Sequence, residues 1–285
     1  MTDAAPLVPR DAATVMLVRD GADGMEVCML RRNLNSDFVG GAFVFPGGAV
    51  DPHDSSAEAE AVCLGRTDAD ASRQLGINNG GLAFWVAAVR ECFEEAGVLL
   101  AVDAQGDVVS MANTDTAERF AVWRHKVNND GTSLVDVCEA EGLRLCMGDI
   151  FYFAHWITPV GPTRRYDTRF FVAAAPPEQH PAHDDRETIA SVWITPAEAL
   201  ASHGRKEFDM IFPTIKNLEA IGRFDNAADL LAAAAAIDEV KTVLPRVVRD
   251  AHGLRILLPG DDGYDAVIEG AATGGTPVDP TELAR

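Results

Sequence analysis

Basic residues are scarce in this chain of 285 residues, which has 24 lysines and arginines against 44 aspartates and glutamates. The formal net charge of −20 produces a field that repels nucleic acid and anionic membranes. Long hydrophobic runs are also missing, since none approaches the ~20 apolar residues of a membrane helix. We therefore expect neither nucleic acid nor a membrane as a partner. A ligand that carries phosphate would need local cations, such as a bound metal and a few placed arginines.

Neither the cysteines nor any targeting signal in the sequence indicates an exported protein. The five cysteines are odd in number and lack the paired spacing of a zinc site, so we expect reduced and mostly buried thiols. The N-terminus has no basic segment followed by an apolar one, and residues 282–285 do not form a peroxisomal signal. These absences predict a cytoplasmic protein.

The most informative segment is residues 90–98, Arg-Glu-Cys-Phe-Glu-Glu-Ala-Gly-Val. On a helix with 3.6 residues per turn, Glu91, Glu94 and Glu95 fall within about 100° of one another. Like charges this close repel one another, so the cluster favours a hard divalent cation, such as Mg²⁺, that prefers oxygen ligands. The alternative is a solvated acidic face of a surface helix.

A glycine-rich loop precedes this helix, with the sequence Phe-Pro-Gly-Gly-Ala-Val-Asp at residues 45–51. Paired glycines after a short aromatic strand permit positive φ and let backbone N–H groups approach a phosphate closely. The order of glycine loop, acidic residue and acidic helix favours a phosphate site over a solvated surface.

This order resembles the Nudix box, in which Gly, five residues, Glu and seven residues precede Arg-Glu-apolar-any-Glu-Glu-any-Gly-apolar. The second half matches at every defined position if Cys92 counts as apolar. The first half starts at Gly48, with Asp54 where the family has glutamate. Residues 55–89, 35 residues rather than seven, separate Asp54 from Arg90, which is an insertion of 28.

Further segments resemble the acyl-coenzyme A diphosphatase branch of the Nudix hydrolase superfamily, whose box also contains a long insert. The resemblance extends over roughly residues 12–222, and its main segments are residues 43–51, 155–159, 165–171 and 193–199. It implies hydrolysis of coenzyme A or acyl-CoA to adenosine 3′,5′-bisphosphate and 4′-phosphopantetheine. The alternatives are an ADP-ribose, NADH or nucleoside triphosphate pyrophosphatase, or a non-catalytic module that senses a nucleotide.

The resemblance also implies residue roles. Glu91, Glu94 and Glu95 would bind Mg²⁺ or Mn²⁺, and Arg90 would fix them through an ion pair. Glu187, just before a predicted strand, is the candidate general base.

Asp54 stands where the family has its first glutamate, and as a shorter acid it can still accept a hydrogen bond from an arginine. Other acids remain open for these roles. They are Asp51 and Glu58 in place of Asp54, and Glu139 and Glu141 in place of Glu187.

Candidate groups for substrate binding are the backbone of Gly47 and Gly48 and a set of arginines, because a guanidinium fork pairs with phosphate in bidentate fashion. The arginines are Arg31, Arg32, Arg164 and Arg165. Three aromatic residues could stack on an adenine, although aromatics on strands also belong to cores. They are Phe38, Phe43 and Trp156.

The whole sequence predicts an α/β fold, a Nudix-type α/β/α sandwich with a mixed sheet, helical inserts and a C-terminal appendage. We assign residues 1–245 to the hydrolase domain, with inserts near 55–81 and 107–147 that we expect to influence specificity. Residues 246–285 form a hairpin and tail. An Ala/Leu-rich helix over 227–240 would pack on the parent domain or on a second copy in a homodimer.

Overall fold

The computed structural model describes residues 7–34, 40–160, 162–184, 186–250 and 253–267, and every strand and helix named below lies there. The strands in chain order are β1 (Arg10–Gly21), β2 (Gly24–Arg32), β3 (Phe43–Val44), β4 (Gly47–Ala49), β5 (Cys63–Leu64), β6 (Ala101–Val102), β7 (Arg144–Cys146), β8 (Ile150–Ile157), β9 (Tyr166–Ala174), β10 (Thr188–Ile194), β11 (Thr242–Val243), β12 (Arg246–Asp250) and β13 (Gly253–Leu257). The α-helices are α1 (Ala57–Val62), α2 (Asp68–Leu75), α3 (Leu82–Glu91), α4 (Thr114–Asn129), α5 (Leu134–Glu141), α6 (Pro196–Gly204), α7 (Phe212–Ile221) and α8 (Ala227–Ala235). Within these ranges no helix is long and apolar enough to cross a membrane.

The central sheet has the order β10-β2-β1-β9-β8-β11, with β3 beside β2 and β4 beside β1. β1 and β2 form an N-terminal hairpin, in which they pair antiparallel through residues 18–21 and 24–27. The first half of β1 pairs instead with β4, where Thr14 lies opposite Gly47. β1 also pairs in parallel with β9, which makes the sheet mixed. The sheet therefore separates between β1 and β2 where β1 pairs with β4, the strand that contains Gly47 and Gly48 (the glycine strand).

Helices cover both faces of the sheet. Successive side chains of a strand point to opposite faces, so β1 contributes to two cores. Val15 and Leu17 pack with α3 on one face, whereas Met16 and Val18 pack with α6, α7 and α8 on the other. This arrangement confirms the predicted α/β/α sandwich.

The helix that carries the acidic cluster is anchored by Trp85, which is fully buried and donates from Nε1 to the carbonyl of Ile150 at 2.8 Å. We expected Glu91, Glu94 and Glu95 to lie on one helix with 3.6 residues per turn. The structure differs, because α3 ends at Glu91 and the chain continues as a π-helical turn over Cys92–Ala96. Gly97 caps the end of this turn with φ 69°.

The C-terminal part packs on the parent domain through α8, which ends at Ala235 rather than at residue 240. Leu230 is fully buried in the core on the α6–α8 face of the sheet, and Val243 and Leu258 pack against that core. β12 and β13 pair antiparallel as the predicted hairpin. Its connecting residues 251–252 and the predicted tail after 267 lie outside the described residues. The domain division at 245 and the homodimer stay predictions.

Replacing Leu230 with alanine should lower the free energy of unfolding by about 2–5 kcal/mol, because it leaves a cavity in a filled core. The half-buried neighbour Leu231 provides a matched control, and Leu231→Ala should cost clearly less. Denaturant unfolding of both variants measures the difference. Equal losses would contradict the packing of α8 described here.

Candidate functional site

Arg90 joins four groups from three parts of the chain. Its Nε and Nη2 donate to the two carboxylate oxygens of Asp54, both at 2.9 Å. Its Nη1 donates to Glu91 at 2.8 Å and to Glu94 at 3.1 Å. Nη2 also donates to the carbonyl of Ala49, at 2.8 Å, beside the glycine pair. The predicted ion pair between Arg90 and the glutamates is therefore present in the structure.

Asp54 reaches Arg90 although it is one methylene shorter than glutamate. It lies in a short 3₁₀ turn over Pro52–Ser55, whose preceding residue Asp51 caps the turn. The backbone N–H of Asp51 donates to Asp54 at 2.8 Å, which fixes the second carboxylate oxygen. The Asp54 side chain is only 2 % exposed, so Asp54, rather than Asp51 or the exposed Glu58, is the acid that contacts Arg90.

The glycine pair provides close approach but not positive φ, so that part of our prediction is wrong. Gly47 and Gly48 are extended residues of β4, and neither has a positive φ. A Cβ on Gly48 would lie 2.4 Å from a carboxylate oxygen of Glu91, and one on Gly47 would lie 2.6 Å from the carbonyl of Ala13. The N–H of Gly47 donates to Glu95 at 3.0 Å. Gly48 thus leaves room for the carboxylate of Glu91, and Gly47 lets β4 approach β1 closely.

The four glutamates predicted to act in catalysis lie around one cavity of about 430 Å³. Three arginines share this cavity with them, two of which we predicted, whereas Arg10 was missed. A second cavity of about 370 Å³, lined by α4 and by Asp184 and Arg186, shares the same glutamates. The shared glutamates are Glu91, Glu94, Glu95 and Glu187, and the arginines of the larger cavity are Arg10, Arg32 and Arg164. Positive and negative side chains therefore face one space.

Two predicted phosphate ligands, Arg31 and Arg165, do not line either cavity. Adjacent residues of a strand point to opposite faces, and of this pair only Arg32 on β2 lines the larger cavity. Arg31 donates to the carbonyl of Gly41 at 3.4 Å, and Arg165 donates to that of Thr158 at 3.0 Å.

The missed Arg10 follows the same alternation on β1. Arg10, Ala12 and Thr14 are spaced by two residues, and all three line the larger cavity. Applying this period to the first strand of the sequence would have identified Arg10.

The other candidates divide between the cavity and elsewhere. Trp156 lines the cavity, as predicted for a stacking residue, but Phe43 stacks on Phe208 with ring centroids 3.6 Å apart. Phe38 lies outside the described residues.

The two acids of the second insert do not line the two cavities. Glu141 binds Arg119 and Trp123, and Glu139 is exposed. Among the described residues, none from 55–81 or 107–147 lines the larger cavity, whereas Val127 and Asn128 of the second insert line the second one. The influence of the inserts on specificity stays a prediction.

Burial disfavours the charged form of these carboxylates unless a counter-charge is near. It raises the pKa of Glu94 to about 7, although Arg90 opposes the rise. Burial, followed by repulsion from Glu91, raises the pKa of Glu95 well above its ordinary value. Burial also raises the pKa of Glu91, again against Arg90. The cluster therefore has more acid than its guanidinium can neutralise.

The chemistry of these groups fits a hard divalent cation, which prefers oxygen ligands and neutralises excess negative charge. In the described part of the chain, no three acidic, histidine or cysteine side chains form a ready-made ligand group. The reason is visible in the hydrogen bonds, because Arg90 holds Glu91 and Glu94 while Gly47 holds Glu95. Joint coordination would require these side chains to turn toward the ion.

Comparison with known proteins identifies the class. A NUDIX hydrolase from Alicyclobacillus acidocaldarius superposes with a TM-score of 0.66 at 28 % identity, over 80 % of this chain and 97 % of that one. The acyl-coenzyme A diphosphatase NUDT19 of Gallus gallus is 29 % identical over 303 residues, covering 90 % of this chain and 79 % of its own. The Homo sapiens protein of the same name is 28 % identical over 279 residues, covering 85 % and 73 %.

The chain is thus a Nudix hydrolase, an enzyme class that generally depends on a divalent metal. The NUDT19 Nudix domain family matches residues 65–221, more than half of the sequence, and the chain belongs to that family. This confirms the superfamily and the branch that the interrupted box indicated. The roles predicted for individual residues are not tested by these similarities and stay predictions.

Replacing Arg90 with alanine should lower the free energy of unfolding by about 3–5 kcal/mol, because Asp54 is left as a buried charge without its partner. Denaturant unfolding measures the loss. Arg73→Ala is the control, since Arg73 pairs with Asp70 on the surface with its side chain 74 % exposed, and it should change stability little. A loss for Arg90→Ala no larger than the control would contradict the role of Arg90 in the site.

Metal-free protein should become less stable, relative to the Glu94→Gln variant, as the pH rises. Glu94 holds a proton in the folded state up to about pH 7 but releases it at about 4.5 when unfolded. The folded state then binds more protons in this interval, so raising the pH favours unfolding. Melting temperatures with a chelator across this interval measure the difference, and added Mg²⁺ should reduce it. A difference that is constant with pH would contradict the raised pKa.

Proposed function

We propose that this chain hydrolyses the diphosphate bond of coenzyme A or an acyl-coenzyme A, with Mg²⁺ or Mn²⁺ as its cofactor. The products would be adenosine 3′,5′-bisphosphate and the (acyl-)4′-phosphopantetheine. The relatives in chicken and human that are named acyl-coenzyme A diphosphatases support the substrate. The observation that carries the proposal is the single cavity in which four glutamates face three arginines.

The glutamates would supply the reaction chemistry. Glu91, Glu94 and Glu95 would hold the divalent cation, which when bound neutralises charge on the diphosphate and lowers the pKa of the attacking water. Glu187, which lines the same cavity, would accept a proton from that water. The water oxygen bonds to one phosphorus atom, and the bridging oxygen leaves with the other phosphate. One diphosphate bridge and one water thus give two phosphate monoester groups, one on each product.

The arginines would bind the substrate. Arg10, Arg32 and Arg164 line the cavity in a chain whose net charge is −20, so they provide the local positive charge that an anionic ligand needs. Coenzyme A carries a 3′-phosphate in addition to the diphosphate, which matches several cationic groups better than one. Trp156 and Phe170 form an apolar part of the wall that suits a nucleobase.

Mass spectrometry of products from coenzyme A, an acyl-coenzyme A, ADP-ribose, NADH and a nucleoside triphosphate tests the proposal. With Mg²⁺ or Mn²⁺ we expect preferential cleavage of the coenzyme A compounds, and reaction in ¹⁸O-labelled water identifies the attacked phosphorus. The double variant Glu94→Gln/Glu95→Gln should lose activity by at least about 100-fold, since it removes two proposed ligands.

The matched control is Glu118→Gln/Glu139→Gln, which changes two exposed glutamates on the second insert and should keep full activity. Preferred cleavage of ADP-ribose or NADH would contradict the substrate. Full activity of the Glu94/Glu95 variant would contradict the metal site. Tight binding of a nucleotide without turnover would favour the sensing module.

A further inference from the structure

The two ends of the acidic helix are held by the two inserts rather than by the helix itself. An α-helix leaves its first N–H groups and its last carbonyls without partners inside the helix. At the start of α3, Gly81 provides no side-chain cap. At the other end, the carbonyls of Glu94 and Glu95 in the π-helical turn accept hydrogen bonds from outside the helix. The side chains of these two residues line the larger cavity.

The first insert binds the start of the helix through α2. The carboxylate of Asp68 accepts from the N–H groups of Gly80 and Leu82, both at 3.0 Å, and Ser72 accepts from that of Gly81 at 2.9 Å. A negative charge at a helix N-terminus also interacts favourably with the helix dipole.

The second insert binds the other end through α4. Arg124 donates from Nε to the carbonyl of Glu94 at 2.9 Å and from Nη2 to that of Glu95 at 2.7 Å. Asn128, one turn further along α4, adds a bond to the Glu94 carbonyl at 3.2 Å. A positive charge at this end again complements the helix dipole. One planar guanidinium thus fixes two successive peptide groups.

Gly97 makes this contact possible. Its φ of 69° suits glycine, and a Cβ there would lie 3.1 Å from Nη1 of Arg124. The orientation of each peptide group determines the direction of the adjoining Cα–Cβ bonds. Fixing the two carbonyls therefore fixes where the side chains of Glu94 and Glu95 begin, on the side of the turn that faces the cavity.

We propose that Arg124 is a positioning residue for the metal-binding carboxylates, acting through the backbone of Glu94 and Glu95. This inference rests on the proposed function, in which those glutamates hold the divalent cation. Arg124 lines neither of the two cavities that the glutamates share. The second insert then serves the reaction by holding the backbone from which the two metal-binding side chains extend. Groups that orient metal ligands from behind typically change metal affinity or activity by about 10–100-fold when removed.

The test compares Arg124→Ala and Arg124→Lys with Arg119→Ala. Arg119 lies on the same helix but pairs with Glu141, so it is a control for loss of an arginine from α4. Mn²⁺ binding to the full chain is followed by electron paramagnetic resonance, kcat and KM are measured on coenzyme A, and melting temperatures identify folded protein. All measurements are made well below the melting temperature of each variant.

For Arg124→Ala we expect the Kd for Mn²⁺ to rise about 10-fold or more and kcat to fall by a similar factor, while KM changes less. Arg124→Lys should recover only part of this, because one ammonium group replaces a fork that spans two carbonyls. Arg119→Ala should match the wild type.

A folded Arg124→Ala protein with wild-type Mn²⁺ affinity and kcat would overturn the positioning role. If that variant does not fold, wild-type Mn²⁺ affinity and kcat in Arg124→Lys would overturn it equally. Failure of the proposed function appears differently, as a wild-type chain that neither binds Mn²⁺ nor cleaves a diphosphate.

Discussion

The guanidinium of Arg90 connects the parts of the site. It binds Asp54 on the chain before the first insert, Glu91 and Glu94 on the acidic helix, and the Ala49 carbonyl of the glycine strand. Without it, these acids would repel one another in a partly buried space. The same side chain brings together the two halves of the interrupted box, since Arg90 of the second half binds Asp54 of the first.

The fold supplies the space in which that contact forms. The sheet opens where β1 leaves β2 and takes β4 as its neighbour. Gly48 of β4 leaves room for the carboxylate of Glu91, and the N–H of Gly47 binds that of Glu95. Helix α3 approaches from one face, while the wall of the larger cavity comes from the other face through Trp156 and Phe170. The inserts form neither α3 nor this wall. They surround the acidic helix and bind its two ends, which explains how a long interruption is compatible with an intact site.

The sequence predicted the acidic cluster better than its surroundings. Glu91, Glu94 and Glu95 could be recognised because a helix brings residues of this spacing together. The contact between Asp54 and Arg90 could only be suggested, since local sequence patterns do not show where the chain lies in space after a long insert. Arg31 was predicted wrongly because charge alone does not show its contact with the carbonyl of Gly41, which holds it away from the cavity. The π-helical turn had no sequence signal, and the side chains that bind its carbonyls, Arg124 and Asn128, come from a helix distant in the sequence.

Anomalous X-ray diffraction at the manganese edge, from crystals soaked in Mn²⁺, tests the central claim most directly. The claim is that the carboxylates organised by Arg90 hold the catalytic cation. We predict an anomalous peak within coordination distance of oxygens of Glu91, Glu94 and Glu95, with the bond between Arg90 and Asp54 retained. A peak bound elsewhere in the protein, with these three glutamates still held by Arg90 and Gly47, would contradict the account.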